Sequence, residues 1–158
     1  MTRRRSAGLL LHRVHDGRPE VLLGHMGGPY WARKDDGGWS VPKGEHEESE
    51  SPQDAARREF TEELGLPVPD GPWADLGDAR QPSGKVVRVF ALAADVDVDA
   101  ATFGTFEMEW PPRSGRRQVF PELDRVAWLD LGTARAKLVS GQRVFLDRLS
   151  SHIVATDE

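Results

Sequence analysis

Residues 44–66, GEHEESESPQDAARREFTEELGL, carry the strongest structural signal in this chain. Ser51 followed by Pro52 is typical of a helix N-cap and a first helical residue, and Asp54 stands where a short capping side chain reaches back to the cap. Gly65 supplies a C-terminal stop. We therefore predict a helix from about Pro52 to Leu64.

The predicted helix concentrates carboxylates on one side. Glu59, Glu62 and Glu63 follow the i, i+3, i+4 spacing of a single helix face, and a separate packing face is formed by Ala56, Phe60 and Leu64. Like charges at this spacing destabilise a helix, and the negative end of the helix dipole adds to the effect. A positive partner is therefore expected at this face.

A hard divalent cation is the simplest partner. Mg²⁺ takes oxygen ligands and is commonly completed by substrate phosphates. The chain has no cysteine, and the helix carries no histidine at ligand spacing that would suggest zinc. The plainer interpretation is a solvated acidic face, with Arg57 and Arg58 as partial counter-charges.

The spacing across this stretch resembles the Nudix box, G-x5-E-x7-R-E-U-x-E-E-x-G-U, where U is a bulky apolar residue. Its specified positions are filled by Gly44, Glu50, Arg58, Glu59, Phe60, Glu62, Glu63, Gly65 and Leu66. Phe60 stands where an aliphatic residue is more usual, which affects packing and leaves the chemistry intact. The resemblance implies a Nudix hydrolase, with an α/β/α sandwich around a mixed β-sheet.

The resemblance also implies roles for the box residues. Glu59, Glu62 and Glu63 would be the ligands of Mg²⁺, with Mn²⁺ as a possible substitute, and the backbone carbonyl of Gly44 a further ligand. Arg58 would hold either Glu50 or a catalytic carboxylate through a fork-like pair. Glu50 itself would be structural.

Two glutamates are candidates for the general base. Nudix enzymes place it either in the box or on a later loop, which gives Glu59 and Glu122 as the alternatives. Glu122 lies in the sequence FPELD, residues 120–124. The simpler interpretation of Glu122 is a solvent-facing loop acid beside Arg125.

Substrate recognition has fewer markers. The sequence WSVPKG, residues 39–44, resembles the W-x-x-P-K-G approach to the box in diadenosine polyphosphate and diphosphoinositol hydrolases, which makes Lys43 the first phosphate-binding candidate. The downstream tyrosine of bacterial-type dinucleoside polyphosphate hydrolases has no counterpart, since Tyr30 is the only tyrosine and precedes the box. Pro82 lies near the position of a proline that marks ADP-ribose hydrolases, but beside Gly84 a turn is the simpler interpretation.

Aromatic and basic side chains outside the box are further candidates for substrate contact. Three tryptophans could stack a base, although packing is the simpler role for each: Trp31, Trp39 and Trp110. Three arginines could neutralise distal phosphates, although a solvated loop is the simpler interpretation: Arg113, Arg116 and Arg117. From these sets we select Trp39 and Arg116 for substrate binding. His25 is interpreted as a strand-end residue, and residues 25–36 are expected to border the site.

The remaining elements follow from periodicity and turn residues. Strands are predicted at 6–14, 20–26, 39–42, 73–80, 85–95 and 125–131, with a hairpin at Asp16-Gly17 and a long irregular insertion at 102–118. Residues 133–150 are predicted to be helical and interrupted near Gly141, with four residues facing the sheet: Leu138, Val144, Phe145 and Leu149.

Composition indicates one globular domain over residues 1–158. The chain is 38% hydrophobic and 30% charged, and its net charge of −5 argues weakly against a nucleic-acid polymer as partner. The apolar run at 7–11 is too short for a secretion signal, and no run approaches the roughly 20 residues of a membrane span. We therefore expect a cytoplasmic protein with a small-molecule partner and no membrane association; homodimerisation is possible.

Two classes of function remain open. The favoured one is a Mg²⁺-dependent pyrophosphohydrolase acting on a nucleoside diphosphate derivative, with nucleoside triphosphates and dinucleoside polyphosphates leading. The alternative is a non-catalytic module that senses a nucleotide or a sugar nucleotide. Its usual mark is loss of box glutamates, and here all are present. RNA 5′-end processing would need a basic track that the sequence lacks.

Overall fold

The computed structural model describes residues 5–156, with side chains to residue 154. The strands within this range are β1 Arg5–His15, β2 Arg18–Met26, β3 Trp39–Ser40, β4 Lys43–His46, β5 Trp73–Arg80, β6 Val86–Ala93, β7 Thr105–Glu109, β8 Arg117–Pro121 and β9 Leu123–Asp130. The α-helices are α1 Pro52–Leu64, α2 Leu131–Lys137 and α3 Arg143–Thr156.

Most of the strands belong to one mixed sheet with β1 at its centre. β1 runs parallel to β6 along one edge; along the other it pairs antiparallel with β2 near their shared turn and with β4 near its own start. β9 extends the sheet beyond β2, β3 pairs with the end of β2 on the same edge as β1, and β5 extends the sheet beyond β6. Gly44 lies opposite Ala7 in the β1–β4 pair. The acidic stretch therefore starts on a strand that the sheet fixes in place.

Helix α1 has the bounds that its end signals predict. The Ser51 side chain accepts a hydrogen bond from the Asp54 backbone N–H at 3.1 Å. Gly65 ends the helix in the left-handed conformation, with φ of 65°, and donates its N–H to the carbonyl of Thr61 at 2.8 Å. Local chemistry at both ends thus sets which side chains share the acidic face.

Two apolar layers cover the two faces of the sheet. On one face, Leu9 and Leu11 of β1 pack in a cluster with Phe60 of α1. On the other, Leu10 packs in a cluster with Phe145 of α3. Alternate residues of one strand therefore contact helices on opposite sides, which is the period-2 pattern of a doubly covered strand. The predicted α/β/α sandwich with a mixed sheet is confirmed.

The expectation of an irregular insertion at 102–118 was wrong. β7 and β8 form an antiparallel hairpin, with Phe106 opposite Phe120. Exposed and half-buried residues alternate along β7, as in a strand that covers a cleft with one face. Pro111 and Pro112 lie in the turn, where they disrupt no pairing.

Two element boundaries also differ from expectation. The strand predicted at 39–42 ends early, since β3 stops at Ser40. A separate strand that was not predicted, β4, begins at Lys43 after Pro42, a residue with no N–H to offer a neighbouring strand. The C-terminal helical region is interrupted at 138–142, as predicted near Gly141, but α3 continues past residue 150 to Thr156. Within residues 5–156, each helix is too short or too polar to cross a membrane.

Gln142 joins the C-terminal region to the strand that enters the acidic stretch. Its side chain is buried, its Oε1 accepts from the Val41 backbone N–H at 2.9 Å, and its Nε2 donates to the Ser40 hydroxyl at 3.0 Å. Because these are buried polar groups, each lost partner carries a desolvation cost.

Replacing Gln142 by Leu is expected to lower the free energy of unfolding by about 1–3 kcal/mol, since the Val41 N–H is left without an acceptor. Urea unfolding of Gln142→Leu measures this change, with the exposed Gln53→Leu as the matched control. A loss below about 0.5 kcal/mol, the ordinary range for surface substitutions, would contradict the structural role of Gln142.

Candidate active site

Four carboxylates from two distant parts of the chain meet at the end of the sheet. We call this set the carboxylate cluster: Glu59, Glu62, Glu63 and Glu122. With Thr105 and three residues of β4, they line a cleft of about 480 Å³, the carboxylate cleft; the β4 residues are Lys43, Gly44 and Glu45. Glu122 reaches it because β9, which starts at Leu123, lies beside β2.

Gly44 allows helix α1 to approach the strand closely. A Cβ atom at residue 44 would collide with the carboxylate of Glu59. The glycine therefore brings a helix carboxylate directly against strand backbone, and this close approach concentrates oxygen ligands at one point.

Arg58 holds three carboxylates at once. It makes a fork pair with Glu50, through Nε to Oε2 and Nη2 to Oε1, each at 2.9 Å. Its Nη1 donates to Glu59 at 2.8 Å and to Glu62 at 3.1 Å. The sequence left open whether Arg58 holds Glu50 or a catalytic carboxylate; in the structure Arg58 bonds Glu50 together with Glu59 and Glu62.

Burial in the cleft disfavours the charged forms of several of its ionisable side chains. Burial, together with the charge of Glu59, raises the pKa of Glu63 to about 8. Burial also raises the pKa of Glu59 and lowers that of Lys43. Although Glu122 is largely exposed, partial burial in the cleft raises its pKa as well. An added positive charge in the cleft would favour the ionised forms of Glu59, Glu63 and Glu122.

The residues of the carboxylate cleft fit a hard divalent cation. Within residues 5–156, no three His, Asp or Glu side chains already form a set of metal ligands. The available ligands are oxygens, which suit Mg²⁺ and Mn²⁺. Glu59 also packs against Gly44, where a larger residue would fill the space.

The metal-free protein is expected to lose stability as pH rises from about 4.5 to about 8. Folded Glu63 binds its proton more tightly than the unfolded chain, so its contribution is present at low pH and disappears as the carboxyl ionises. Calorimetry in chelator over this interval should show a steeper fall in Tm for the wild type than for Glu63→Gln. Mg²⁺ should restore wild-type stability most at the alkaline end. Equal slopes for the two proteins would contradict this assignment.

A second cavity adjoins the carboxylate cleft. This aromatic cavity has a volume of about 440 Å³ and shares Lys43, Glu63 and Glu122 with the carboxylate cleft. Its other walls are residues 26–31, Ser40, Val41 and Leu123, and Phe106 and Met108 of β7. Residues 25–36 were expected to border the site, and their first half does so.

Buried hydrogen bonds join the loop at 27–38 to the segment that carries Glu122. His25 is fully buried, with Nδ1 at 2.7 Å from the Asp124 carboxylate and Nε2 at 2.5 Å from the Lys34 carbonyl. The Gly27 N–H donates to the Glu122 carbonyl at 3.0 Å. One wall of the aromatic cavity and the backbone of Glu122 are therefore held in a fixed relation.

Besides Lys43, two residues were selected for substrate binding, Trp39 and Arg116. Neither of them lines a cavity of the site. Trp39 is 5% exposed, packs in the same core cluster as Leu138, and donates its Nε1–H to Asp35 at 2.9 Å. Arg116 lies in the β7–β8 turn, where its carbonyl accepts from the Trp110 N–H. Neither lines the carboxylate cleft or the aromatic cavity, and we do not retain them as substrate contacts. Lys43 lines both and is retained.

Of the other candidates for substrate contact, some lie at the aromatic cavity and others lie outside both cavities. Trp31 lines the aromatic cavity, and Trp110 contacts Tyr30 at its rim with ring centroids 5.1 Å apart. Arg117 pairs with Glu107 at 2.7 Å on the outer part of the hairpin. Two candidates lie in turns outside both cavity linings: Pro82 and Arg113.

Sequence reasoning missed the contribution of the β7–β8 hairpin to the site. Phe106 and Met108 line the aromatic cavity, and Thr105 lines the carboxylate cleft. The alternation TFEME at residues 105–109 is a strand signal that could have found them. It was outweighed by the prolines that follow.

Comparison with known proteins agrees with the geometry. The family model of the NUDIX domain matches residues 2–149 of this chain. No curated protein sequence gives a match.

Several solved structures share the fold over nearly the whole chain. A mutT/nudix family protein from Listeria innocua has a TM-score of 0.66 and 21% identity, over 99% of this chain and 98% of that one. A binary complex of a C. elegans Ap4A hydrolase gives 0.64 and 20%, over 96% and 98%. The NUDIX domain of Shewanella oneidensis NrtR, complexed with ADP ribose, gives 0.65 and 15%, over 97% and 90%. At these identities the likeness establishes the fold.

Proposed function

Since the chain belongs to the Nudix family, whose hydrolases act on pyrophosphate bonds, we propose that it is a Mg²⁺-dependent pyrophosphohydrolase acting on a nucleoside diphosphate derivative. Nucleoside triphosphates and dinucleoside polyphosphates are the leading substrates. The observation that carries the proposal is that the carboxylate cleft and the aromatic cavity share three lining residues, Lys43, Glu63 and Glu122. A diphosphate joined to an aromatic base matches this pair of cavities.

The residues that would hold Mg²⁺ are Glu59, Glu62, Glu63 and the carbonyl of Gly44, with Mn²⁺ as a possible substitute. Once bound, the cation would neutralise the diphosphate oxygens and make a water molecule more acidic. Arg58 donates hydrogen bonds to Glu59 and Glu62, and these bonds fix the direction of both carboxylates. Its role is to position these carboxylates, anchored by Glu50.

Between the two candidates for general base, we favour Glu122. Its carboxylate takes part in no hydrogen bond or ion pair with another described side chain, and it lines both cavities. Glu59, in contrast, is bonded to Arg58 and packed against Gly44. A carboxylate with free lone pairs and a raised pKa is suited to take a proton from an attacking water.

Lys43 is proposed to bind phosphate at the junction. Its backbone N–H donates to Glu63 at 3.2 Å, and its residue lines both cavities. Burial lowers the pKa of Lys43, and a phosphate anion beside it would favour the charged form. The diphosphate would therefore lie between Lys43 and the carboxylate cluster.

A substrate panel in ¹⁸O-water tests this function. The protein and Mg²⁺ are incubated with nucleoside triphosphates, dinucleoside polyphosphates, ADP-ribose and diphosphoinositols, and the products are weighed. We expect turnover of a nucleoside-containing class, with one ¹⁸O atom in one phosphate-terminated product. Absence of turnover with Mg²⁺ and with Mn²⁺ would overturn the proposal in favour of a nucleotide-sensing module.

A further inference from the structure

We propose that the aromatic cavity holds a single nucleobase by stacking and apolar contact, without reading the base edge. The enzyme would then accept purine and pyrimidine nucleotides alike and would reject diphosphoinositols. This inference rests on the proposed function, which it extends from the reaction to the substrate class.

The end of the cavity that lies away from the carboxylates is apolar. Its walls come from the end of β2, the loop after it and β7: Met26, Pro29, Tyr30, Trp31, Phe106 and Met108. Aromatic rings and methionine offer polarisable surface to any flat ring, and every base has a π face. This wall suits a base and offers a sugar or cyclitol ring few hydrogen-bond partners.

Polar side chains able to discriminate between bases are scarce in the lining. The Ser40 hydroxyl donates to the Val41 carbonyl at 2.8 Å and accepts from Gln142, so it is already committed. Lys43, Glu63 and Glu122 lie at the junction with the carboxylate cleft. Among the described lining residues this leaves the hydroxyl of Tyr30, a residue that is 65% exposed. Strong rejection of a wrong base requires buried polar groups that it would leave unpaired.

The charge of the lining also argues against a polyphosphorylated ring. Of the lining residues that the structure describes, Lys43 alone is cationic, whereas Glu63 and Glu122 are acidic. The arginines of the β7–β8 hairpin lie outside the lining, and Arg117 is paired with Glu107. Several phosphates around one ring would therefore face apolar or acidic walls, and their desolvation would be uncompensated.

Size and packing indicate a preformed site for one base. The volume of about 440 Å³ is at the small end of the range for ligand sites, about 300–1,000 Å³. A Cβ atom on Gly28, whose φ is 93°, would lie 3.0 Å from Cζ of Phe106, so loop backbone packs directly on the hairpin. Tyr30 and Trp110 join the same two segments at the rim. The walls are therefore in place before a base arrives.

Calorimetric titration tests the inference independently of turnover. The probes are the α,β-methylene analogues of ADP, GDP, CDP and UDP, with methylenediphosphonate as the matched probe that lacks a nucleoside. We expect the four nucleotides to bind within about 10-fold of one another. Trp31→Ala should weaken each of them by about 10-fold or more relative to methylenediphosphonate. Val119→Ala, an exposed position on the same hairpin, should leave the nucleotide affinities unchanged.

Two results would overturn the inference while the proposed function stands: one nucleotide bound about 100-fold more tightly than the others, or diphosphoinositol hydrolysed as fast as nucleotides. Equal loss of affinity for methylenediphosphonate and nucleotides in Trp31→Ala would also overturn it. Nucleotide binding as expected, with no hydrolysis of any substrate, would instead overturn the proposed function and support the base site.

Discussion

Glu62→Gln is expected to lower kcat by about 10³-fold, which corresponds to about 4 kcal/mol of transition-state stabilisation. Glu62 is exposed on α1, so the substitution removes a charge and a proposed metal ligand without disturbing the core. A metal site supplies several kcal/mol by neutralising charge that develops at phosphorus, and a neutral amide is a poorer ligand for Mg²⁺. Steady-state kinetics on the substrate identified in the panel, at saturating Mg²⁺, measures the loss.

The matched control is Glu48→Gln, which makes the same change of charge at an exposed box residue outside the carboxylate cleft. It should retain kcat within about 2-fold, because scattered surface charges contribute little. If the two variants are equally active, Glu62 has no role in the reaction.

Glu122→Gln is expected to lower kcat by about 10²–10³-fold while Mn²⁺ affinity is retained, since a general base contributes about 10²–10⁴-fold. Glu59→Gln should lower both kcat and the affinity for Mn²⁺, because Glu59 is proposed as a metal ligand. Glu122→Gln should also remove the fall in kcat on the acid side of the pH profile, where protonation of Glu122 disables the base. Rate and pH dependence come from steady-state kinetics, and affinity from Mn²⁺ titration.

Glu109→Gln is the control for Glu122, since it is an exposed glutamate on β7 outside the carboxylate cleft. Its kcat and its pH profile should match the wild type. Full activity in Glu122→Gln, together with a lost acid limb in Glu59→Gln, would transfer the base to Glu59.

Local chemistry made helix α1 and its acidic face predictable from sequence. Ser51, Pro52 and Gly65 set the ends, and helical spacing then places Glu59, Glu62 and Glu63 together whatever the rest of the chain does. The nine specified positions of the box pattern then predicted the sandwich fold and the reaction class. These signals lie within 23 consecutive residues, so no knowledge of long-range pairing was needed.

The aromatic cavity, and the position of Trp39 in the core and outside both cavities, could not be predicted in the same way. Whether a tryptophan faces the core or a cleft depends on which strands flank it, and Trp39 lies beside β2, over helix α2. The wall formed by Phe106 requires the β7–β8 hairpin to fold back on Gly28, a contact between segments far apart in sequence. Periodicity indicates a strand, but it does not indicate which loop that strand covers.

Electron paramagnetic resonance of Mn²⁺, titrated into the chelator-treated protein, tests most directly whether the carboxylate cluster holds the catalytic cation. We expect the wild type and Glu48→Gln to bind Mn²⁺ equally, and Glu62→Gln to bind it at least about 10-fold more weakly. Equal Mn²⁺ affinity in all three proteins would place the cation elsewhere and contradict the proposed active site.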